Sequence, residues 1–374
     1  GSISLGGIYF SKNNRYMGYS VNSSGSDWRE FYILDLETGK LLNDHLKWIK
    51  FSGMSWHGNG FYYTRYPEPK EEDKFSITNE NSKVYYHHLG TSQTADQIVY
   101  YNAKTPRISP SVSSTDDERF LFLYQYNGTY GVSLSFRDTW KSSEGWNPIV
   151  EDYNSDIYIL DYVNGYFIAE TDRNSPFKRI IKIDPKNPNE KYWITLLSGT
   201  KDTVISNVKL VGGKLLVHFT KDVLSLWKAY DLNGNYLYNV DLPGKGIVNG
   251  FNGKNDQYLT WYSFNNSVNP TTIYQYDVEN NISSIYKKSQ AKFNYDEYVM
   301  RQEFYISKDG TVIPIFLAHK KDLIMDGNRP TLLYGYGGFN ISIKPYFSKS
   351  NIILLENDGV YAIANIRGGS EYGQ

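Results

Sequence analysis

The chain of 374 residues contains no cysteine, which excludes disulfide bonds, thiolate catalysis and cysteine-bound zinc. Its charge is nearly balanced, with 39 basic and 40 acidic residues, so no broad electrostatic surface for nucleic acid or an anionic membrane is indicated. No apolar run approaches the roughly 18 residues of a transmembrane helix, and the first residues lack the pattern of a secretory signal. We therefore expect a cytoplasmic protein that binds neither nucleic acid nor membrane.

Histidine is also scarce, and its spacing does not match a metal site. None of the six histidines has the HExxH or His-Cys spacing of a zinc protein. The sequence also lacks a phosphate loop and a dinucleotide fingerprint. We expect no metal and no cofactor, and we expect all six side chains to be packed or solvated: His45, His57, His87, His88, His218 and His319.

Aromatic residues, in contrast, are abundant, at 16% with 35 tyrosines, which favours β-structure. Short apolar strands recur and run into polar turns, at steps of 53, 48, 48, 47 and 46 residues. A period of about 40–50 residues predicts the blades of a β-propeller. Strand-plus-turn pairs recur in any β-rich chain, but the near-constant step favours the propeller, with six blades visible. The strand exits are Asp35, His88, Phe136, Asp184, Asp231 and Asp277.

Two further local patterns fit this organisation. Polar turns at residues 11–16 and 114–119 precede apolar strands, about two blades apart. The longest polar insertion, residues 67–82, is rich in charge and proline, which predicts an exposed, mobile loop.

The pattern changes after about residue 290. Residues 303–307 and 311–319 are joined by Lys308-Asp309-Gly310, which predicts a β-hairpin. The sequence then predicts a strand of the buried kind at 331–335, a helix at 348–356 and a second buried strand at 360–365. This order of strand, helix and strand is α/β organisation. We therefore expect an incomplete propeller domain at residues 1–290 and a truncated α/β domain at 291–374.

Tyr336 is the best candidate for chemistry. Glycines surround it in the run Gly335-Tyr336-Gly337-Gly338, directly after a predicted strand. Glycines permit a tight turn, which would hold the tyrosine hydroxyl at the carboxyl edge of a sheet, where α/β enzymes place their sites. The alternative is that Tyr336 is one of 35 tyrosines and only packs.

Ser370 superficially suggests a nucleophile. The surrounding run departs from the G-x-S-x-G elbow because residue 372 is tyrosine. We expect no nucleophile in this chain, and structural hydrogen bonds from Arg367 and Glu371.

Four stretches together resemble the prolyl oligopeptidase family of serine peptidases: residues 24–28 (SGSDW), 84–91 (VYYHHLGT), 331–340 (TLLYGYGGFN) and 360–373 (VYAIANIRGGSEYG). The resemblance implies a mainly β fold, a seven-bladed propeller followed by an α/β-hydrolase domain. It further implies that the first blade, the N-terminal hydrolase segment and the part carrying the Ser/Asp/His triad and a peptide-fixing arginine are absent here. It assigns Tyr336 as an oxyanion-hole donor and Phe339 as a wall of the proline subsite, and it puts the 67–82 loop near the domain interface.

The function implied by this resemblance is cleavage of short peptides after proline by acyl transfer, in an enzyme that is a monomer when intact. The chain by itself is expected to be inactive. The alternatives are a non-catalytic binding or scaffold propeller and an oligopeptidase that cuts after arginine or lysine. The motif at 334–340 together with SGSDW favours the proline enzyme.

Overall fold

In the computed structural model the described residues are 2–23, 25–70, 72, 76–141, 145–338 and 341–369. Twenty-four strands in this part of the chain form six consecutive four-stranded sheets, each a meander in which a strand pairs with the next one in sequence. The mainly β fold predicted from the sequence is confirmed, and the number of these sheets equals the six blades counted in the sequence.

The strand bounds are as follows. The first sheet has β1 (Ile3–Phe10), β2 (Tyr16–Ser23), β3 (Arg29–Asp35) and β4 (Lys40–Ile49). The second has β5 (Ser55–His57), β6 (Gly60–Arg65), β7 (Lys83–His88) and β8 (Gln97–Tyr100). The third has β9 (Ser109–Ser114), β10 (Phe120–Tyr126), β11 (Val132–Asp138) and β12 (Asn147–Val150). The fourth has β13 (Ile157–Val163), β14 (Tyr166–Thr171), β15 (Arg179–Ile183) and β16 (Ile194–Ser198). The fifth has β17 (Val204–Val211), β18 (Lys214–Lys221), β19 (Leu224–Tyr230) and β20 (Tyr236–Asn239). The sixth has β21 (Ile247–Asn252), β22 (Leu259–Asn265), β23 (Thr272–Asp277) and β24 (Ile282–Lys287).

The repeat seen in the sequence marks the third strand of every sheet. Asp35, His88 and Asp277 end β3, β7 and β23, and the other three exits lie within two residues of the ends of β11, β15 and β19. The polar turns at 11–16 and 114–119 lead into β2 and β10, each the second strand of its sheet. The 67–82 insertion connects β6 to β7, and most of its described residues are exposed.

The chain divides into two compact units, Gly1–Arg173 with Ile181–Ile194, and Asn174–Ile180 with Thr195–Gln374. Within each unit, neighbouring sheets share apolar cores, which is how propeller blades stabilise one another. In the first unit, Phe31 and Ile33 of β3 pack with Trp56 of β5 and Phe61 of β6. In the second unit, Trp227 of β19 packs with Phe251, Tyr262 and Tyr276 of the sixth sheet.

A seventh four-stranded sheet follows and has mixed topology. Its strands are β25 (Tyr298–Ile306), β26 (Val312–Lys320), β27 (Thr331–Gly335) and β28 (Val360–Ala364), in the order β25-β26-β28-β27. Helix α1 (Lys349–Glu356) lies between β27 and β28 in sequence, and short 3-10 turns occur at Gln93–Ala95, Glu190–Tyr192 and Tyr295–Glu297. β25 and β26 form the predicted hairpin, with Gly310 in the left-handed region at φ 85°.

The prediction that residues 331–335 form a buried strand was wrong for burial. All five residues of β27 are exposed, because β27 lies at the edge of its sheet and the described residues leave both of its faces uncovered. Within the second unit, two turns of the propeller sheets contact this C-terminal sheet. Val223, between β18 and β19, packs with Phe316 and Ile363, and Val268, between β22 and β23, packs with the Tyr298 ring.

Candidate functional site

The two glycine-rich runs of the C-terminal sheet leave it at the same edge. β27 and β28 are parallel, with Thr331 opposite Val360 and Gly335 opposite Ala364, so both strands end level with each other. Residues 336–338 and 365–369 therefore emerge side by side at the carboxyl edge, the position at which α/β folds collect functional groups. Tyr336 directly follows β27 at this edge.

Glycine is required where these two loops touch. A Cβ atom on Gly337 would overlap the carbonyl oxygen of Arg367, and one on Gly368 would overlap the carbonyl oxygen of Gly337. Gly368 also has φ 99°, which residues with a side chain rarely adopt. The sequence thus allows a backbone-to-backbone approach that any other residue would prevent.

Tyr336 remains accessible in this arrangement, with 37% of its surface exposed. Its ring lies over Gly338, since a Cβ atom there would be 3.0 Å from both Cζ and Oη of the tyrosine. A neutral phenol can donate one hydrogen bond to a substrate oxygen at this edge. Phe339, Ser370 and Glu371 lie outside the described residues.

Arg367 makes the structural bond expected of it. Its guanidinium pairs with the carboxylate of Asp309, in the turn of the β25–β26 hairpin. The hydrogen bond from Arg367 holds the pKa of Asp309 below its ordinary value. The second loop is thereby connected by a side chain to the β25–β26 turn, which lies at the same edge of the sheet because β26 runs antiparallel to β28.

Asn365 is a residue that the sequence reasoning missed. It is 4% exposed and directly follows β28. Its backbone N–H donates to the carbonyl oxygen of Pro314 (3.0 Å), and its Nδ2 donates to the carbonyl oxygen of Ile343 (2.6 Å). A polar residue where a buried strand ends, beside a glycine run, is the signal that could have identified it.

The histidines behave differently from one another. His218 is buried and stacks on Trp227 at 4.9 Å between ring centroids, and burial lowers the pKa of His218 to about 3. Lys344 lies near enough to contribute to that shift, and burial lowers the pKa of Lys344 too. His218 is therefore a neutral, packed histidine, as expected from the sequence.

His87 is also packed, but its partners were not predicted. Its Nε2 is 2.9 Å from Asp44 Oδ1, and its Nδ1 is 2.7 Å from Asp96 Oδ1. Burial alone would lower the pKa of His87, but the two carboxylates outweigh it and raise the pKa to about 9. Because all three side chains are almost fully enclosed, we interpret this cluster as structural.

Comparison with known proteins decides the family. The model of the N-terminal β-propeller domain of prolyl oligopeptidase matches residues 1–289. The chain belongs to the prolyl oligopeptidase family. Its relatives in this family include the prolyl endopeptidase of Elizabethkingia meningoseptica, 40% identical over 100% of this chain and 53% of the relative. The prolyl endopeptidase of Dictyostelium discoideum is 31% identical over 100% of this chain and 56% of the relative.

Solved structures of the prolyl oligopeptidase family are similar in fold as well. One, from a study of inter-domain dynamics in two prolyl endopeptidases, has a TM-score of 0.88 and 29% identity, covering 100% of this chain and 55% of that one. Prolyl oligopeptidase B from Galerina marginata, bound to a 35mer hydrolysis and macrocyclization substrate, has a TM-score of 0.87 and 26% identity, covering 100% and 54%. The chain thus spans about half the length of the relatives it matches.

Among the residues that the structure describes, no helix has both the length and the apolar character that spanning a bilayer requires.

Proposed function

We propose that this chain is part of a serine endopeptidase that cleaves short peptides on the C-terminal side of proline. In this proposal residues 1–290 form the propeller domain, and residues 291–374 form the first part of an α/β-hydrolase domain. The family match over residues 1–289 and the mixed sheet β25–β28 support this division. The apolar residues of β27 are exposed, which supports the idea that other segments of the complete protein pack over this strand.

The observation that carries the proposal is the meeting of the two glycine loops beside Tyr336. In acyl transfer, a serine oxygen bonds to the peptide carbonyl carbon, and the carbonyl oxygen becomes an oxyanion. The Tyr336 hydroxyl would donate a hydrogen bond to that oxyanion. A donor of this kind contributes about 3–4 kcal/mol to transition-state stabilisation.

Phe339 would line the subsite that accepts proline, as a flat apolar wall. The serine, aspartate and histidine of the triad would be supplied by the rest of the complete protein. We propose a cytoplasmic monomer that needs no cofactor, and the chain as given would be inactive.

The test compares the complete protein with residues 1–374 alone. Both are incubated with fluorogenic peptides that carry proline, arginine or lysine before the scissile bond, and with a serine-reactive fluorophosphonate probe. We expect the complete protein to cleave after proline and to be labelled, and the chain alone to do neither. Labelling at Ser370, or preferred cleavage after arginine or lysine, would contradict the proposal.

A further inference from the structure

Ala364 and Asn365, at the end of β28, contact the chain on both sides of Tyr336. At its start, Gly335 pairs with Ala364 in the parallel ladder of β27 and β28. At its end, the carbonyl oxygen of Ile343 accepts the 2.6 Å hydrogen bond from Nδ2 of Asn365. Gly335 and Ile343, which lie on either side of Tyr336 in sequence, are thus held by the neighbouring residues Ala364 and Asn365.

Asn365 is itself held in place by the sheet. Its backbone N–H donates to Pro314 in β26, on the other side of β28. Because the side chain is almost fully buried, losing its amide donor would leave the Ile343 carbonyl without that bond in a site poor in water.

The acceptor residue is only partly buried. The Ile343 side chain packs against the cluster that contains Phe316 of β26 and Ile363 of β28. The hydrogen bond from Asn365 therefore adds a constraint on the Ile343 backbone that this side-chain contact does not supply.

We propose that Asn365 is a positioning residue for Tyr336. It would close the loop so that the Tyr336 hydroxyl stays at the site of the developing oxyanion. This inference rests on the function proposed above. An error of about 1 Å in the position of a catalytic group can lower the rate on the order of 100-fold, so one such anchor has a measurable effect.

The test uses Asn365→Asp in the complete protein, which keeps the shape and removes the amide donor. We expect kcat to fall about tenfold with KM within about twofold, because the lost alignment matters in the transition state. In a Tyr336→Phe background the same change should lower kcat less than about twofold, since the group being positioned is already gone. Asn365→Ala, which adds no charge, is the second variant in case the first fails to fold.

Asn357→Asp is the matched control. Asn357 Nδ2 also donates to a backbone carbonyl, that of Ile353 (2.8 Å), at the end of α1 and away from the loops. It should leave kcat and KM unchanged. Amide hydrogen exchange provides a readout without catalysis: exchange over residues 334–346 should accelerate in Asn365→Asp and not in Asn357→Asp.

Equal losses of kcat in the two backgrounds, a change in KM alone, or unchanged exchange over 334–346 would overturn the inference. If Tyr336→Phe alone leaves kcat unchanged, the oxyanion role fails instead. The exchange measurement then still decides whether Asn365 anchors the loop.

Discussion

His87 Nε2 lies 2.9 Å from Asp44 Oδ1, and this contact joins β7 of the second sheet to β4 of the first. The other ring nitrogen, His87 Nδ1, contacts Asp96 Oδ1. The Tyr63 hydroxyl donates a second hydrogen bond to Asp96, at its Oδ2 atom (2.6 Å). An imidazolium enclosed between two carboxylates connects neighbouring blades through buried charge, which is costly to disturb on one side only.

Replacing His87 should therefore destabilise the propeller strongly. We expect His87→Gln to lower the free energy of unfolding by about 3–5 kcal/mol at pH 7, the cost of leaving buried charge unpaired. The control is His45→Gln. His45 Nε2 pairs with Glu30 at 2.6 Å but at the surface, so its loss should cost less than about 1 kcal/mol. Urea denaturation curves of the two variants decide this, and equal losses would refute the structural role of His87.

The same cluster predicts a pH dependence of stability. The pKa of His87 is about 9 when folded, above its ordinary value of 6.5. The folded state therefore holds the proton more tightly, so this stabilisation is complete below about pH 6.5 and is lost as the pH rises through 9. As the pH rises from about 6.5 to 9, the free energy of unfolding should therefore fall further for the wild-type protein than for His87→Gln. Parallel pH slopes for the two proteins would show that His87 is not charged in the folded state.

Two glycines of the Tyr336 motif should respond differently to alanine. At Gly337 the new methyl group would overlap the backbone of Arg367, so we expect a loss of about 1–3 kcal/mol or more and a lowered melting temperature. At Gly335 the nearest atom, the carbonyl oxygen of Ala364, is at 3.4 Å, an ordinary contact. Gly335→Ala should therefore melt close to the wild type. Similar melting temperatures for both variants would mean that the loops do not approach as described.

Phe339→Ala tests the proposed substrate subsite. Removing an apolar wall weakens substrate and transition state alike, so KM should rise on the order of tenfold or more with kcat nearly unchanged. Phe339→Leu, which keeps an apolar side chain, should have a smaller effect. Steady-state kinetics of the complete protein on a proline peptide provide the measurement, and a lowered kcat with constant KM would assign Phe339 a different role.

The repeat and the strands were predictable because their signals are local. A strand that ends in a polar turn is visible within a few residues, as at Asp35 and Asp277, and the hairpin turn at Gly310 is equally local. The edge position of Tyr336 followed from the glycines around it. These features depend on neighbours in sequence.

Partners that come from another sheet were not predictable in the same way. Nothing near His87 in the sequence indicates Asp44, 43 residues earlier, because the pairing depends on how two blades pack. The apolar run at 331–335 predicts a buried strand, but burial depends on whether another element packs over it, and all five residues of β27 are exposed. Asn365 was missed because its hydrogen bond goes to the carbonyl oxygen of Ile343, 22 residues earlier in the sequence.

The most direct test of the account is the rate constant of Tyr336→Phe in the complete protein on an amide substrate. We predict that kcat falls on the order of 10²–10³-fold, with a smaller change in KM, because the lost hydroxyl acts on the oxyanion formed in the transition state. Tyr334→Phe, two residues earlier in β27, is the control and should retain kcat. If Tyr336→Phe retains the wild-type kcat while the protein stays folded, Tyr336 only packs and the proposed oxyanion role is wrong.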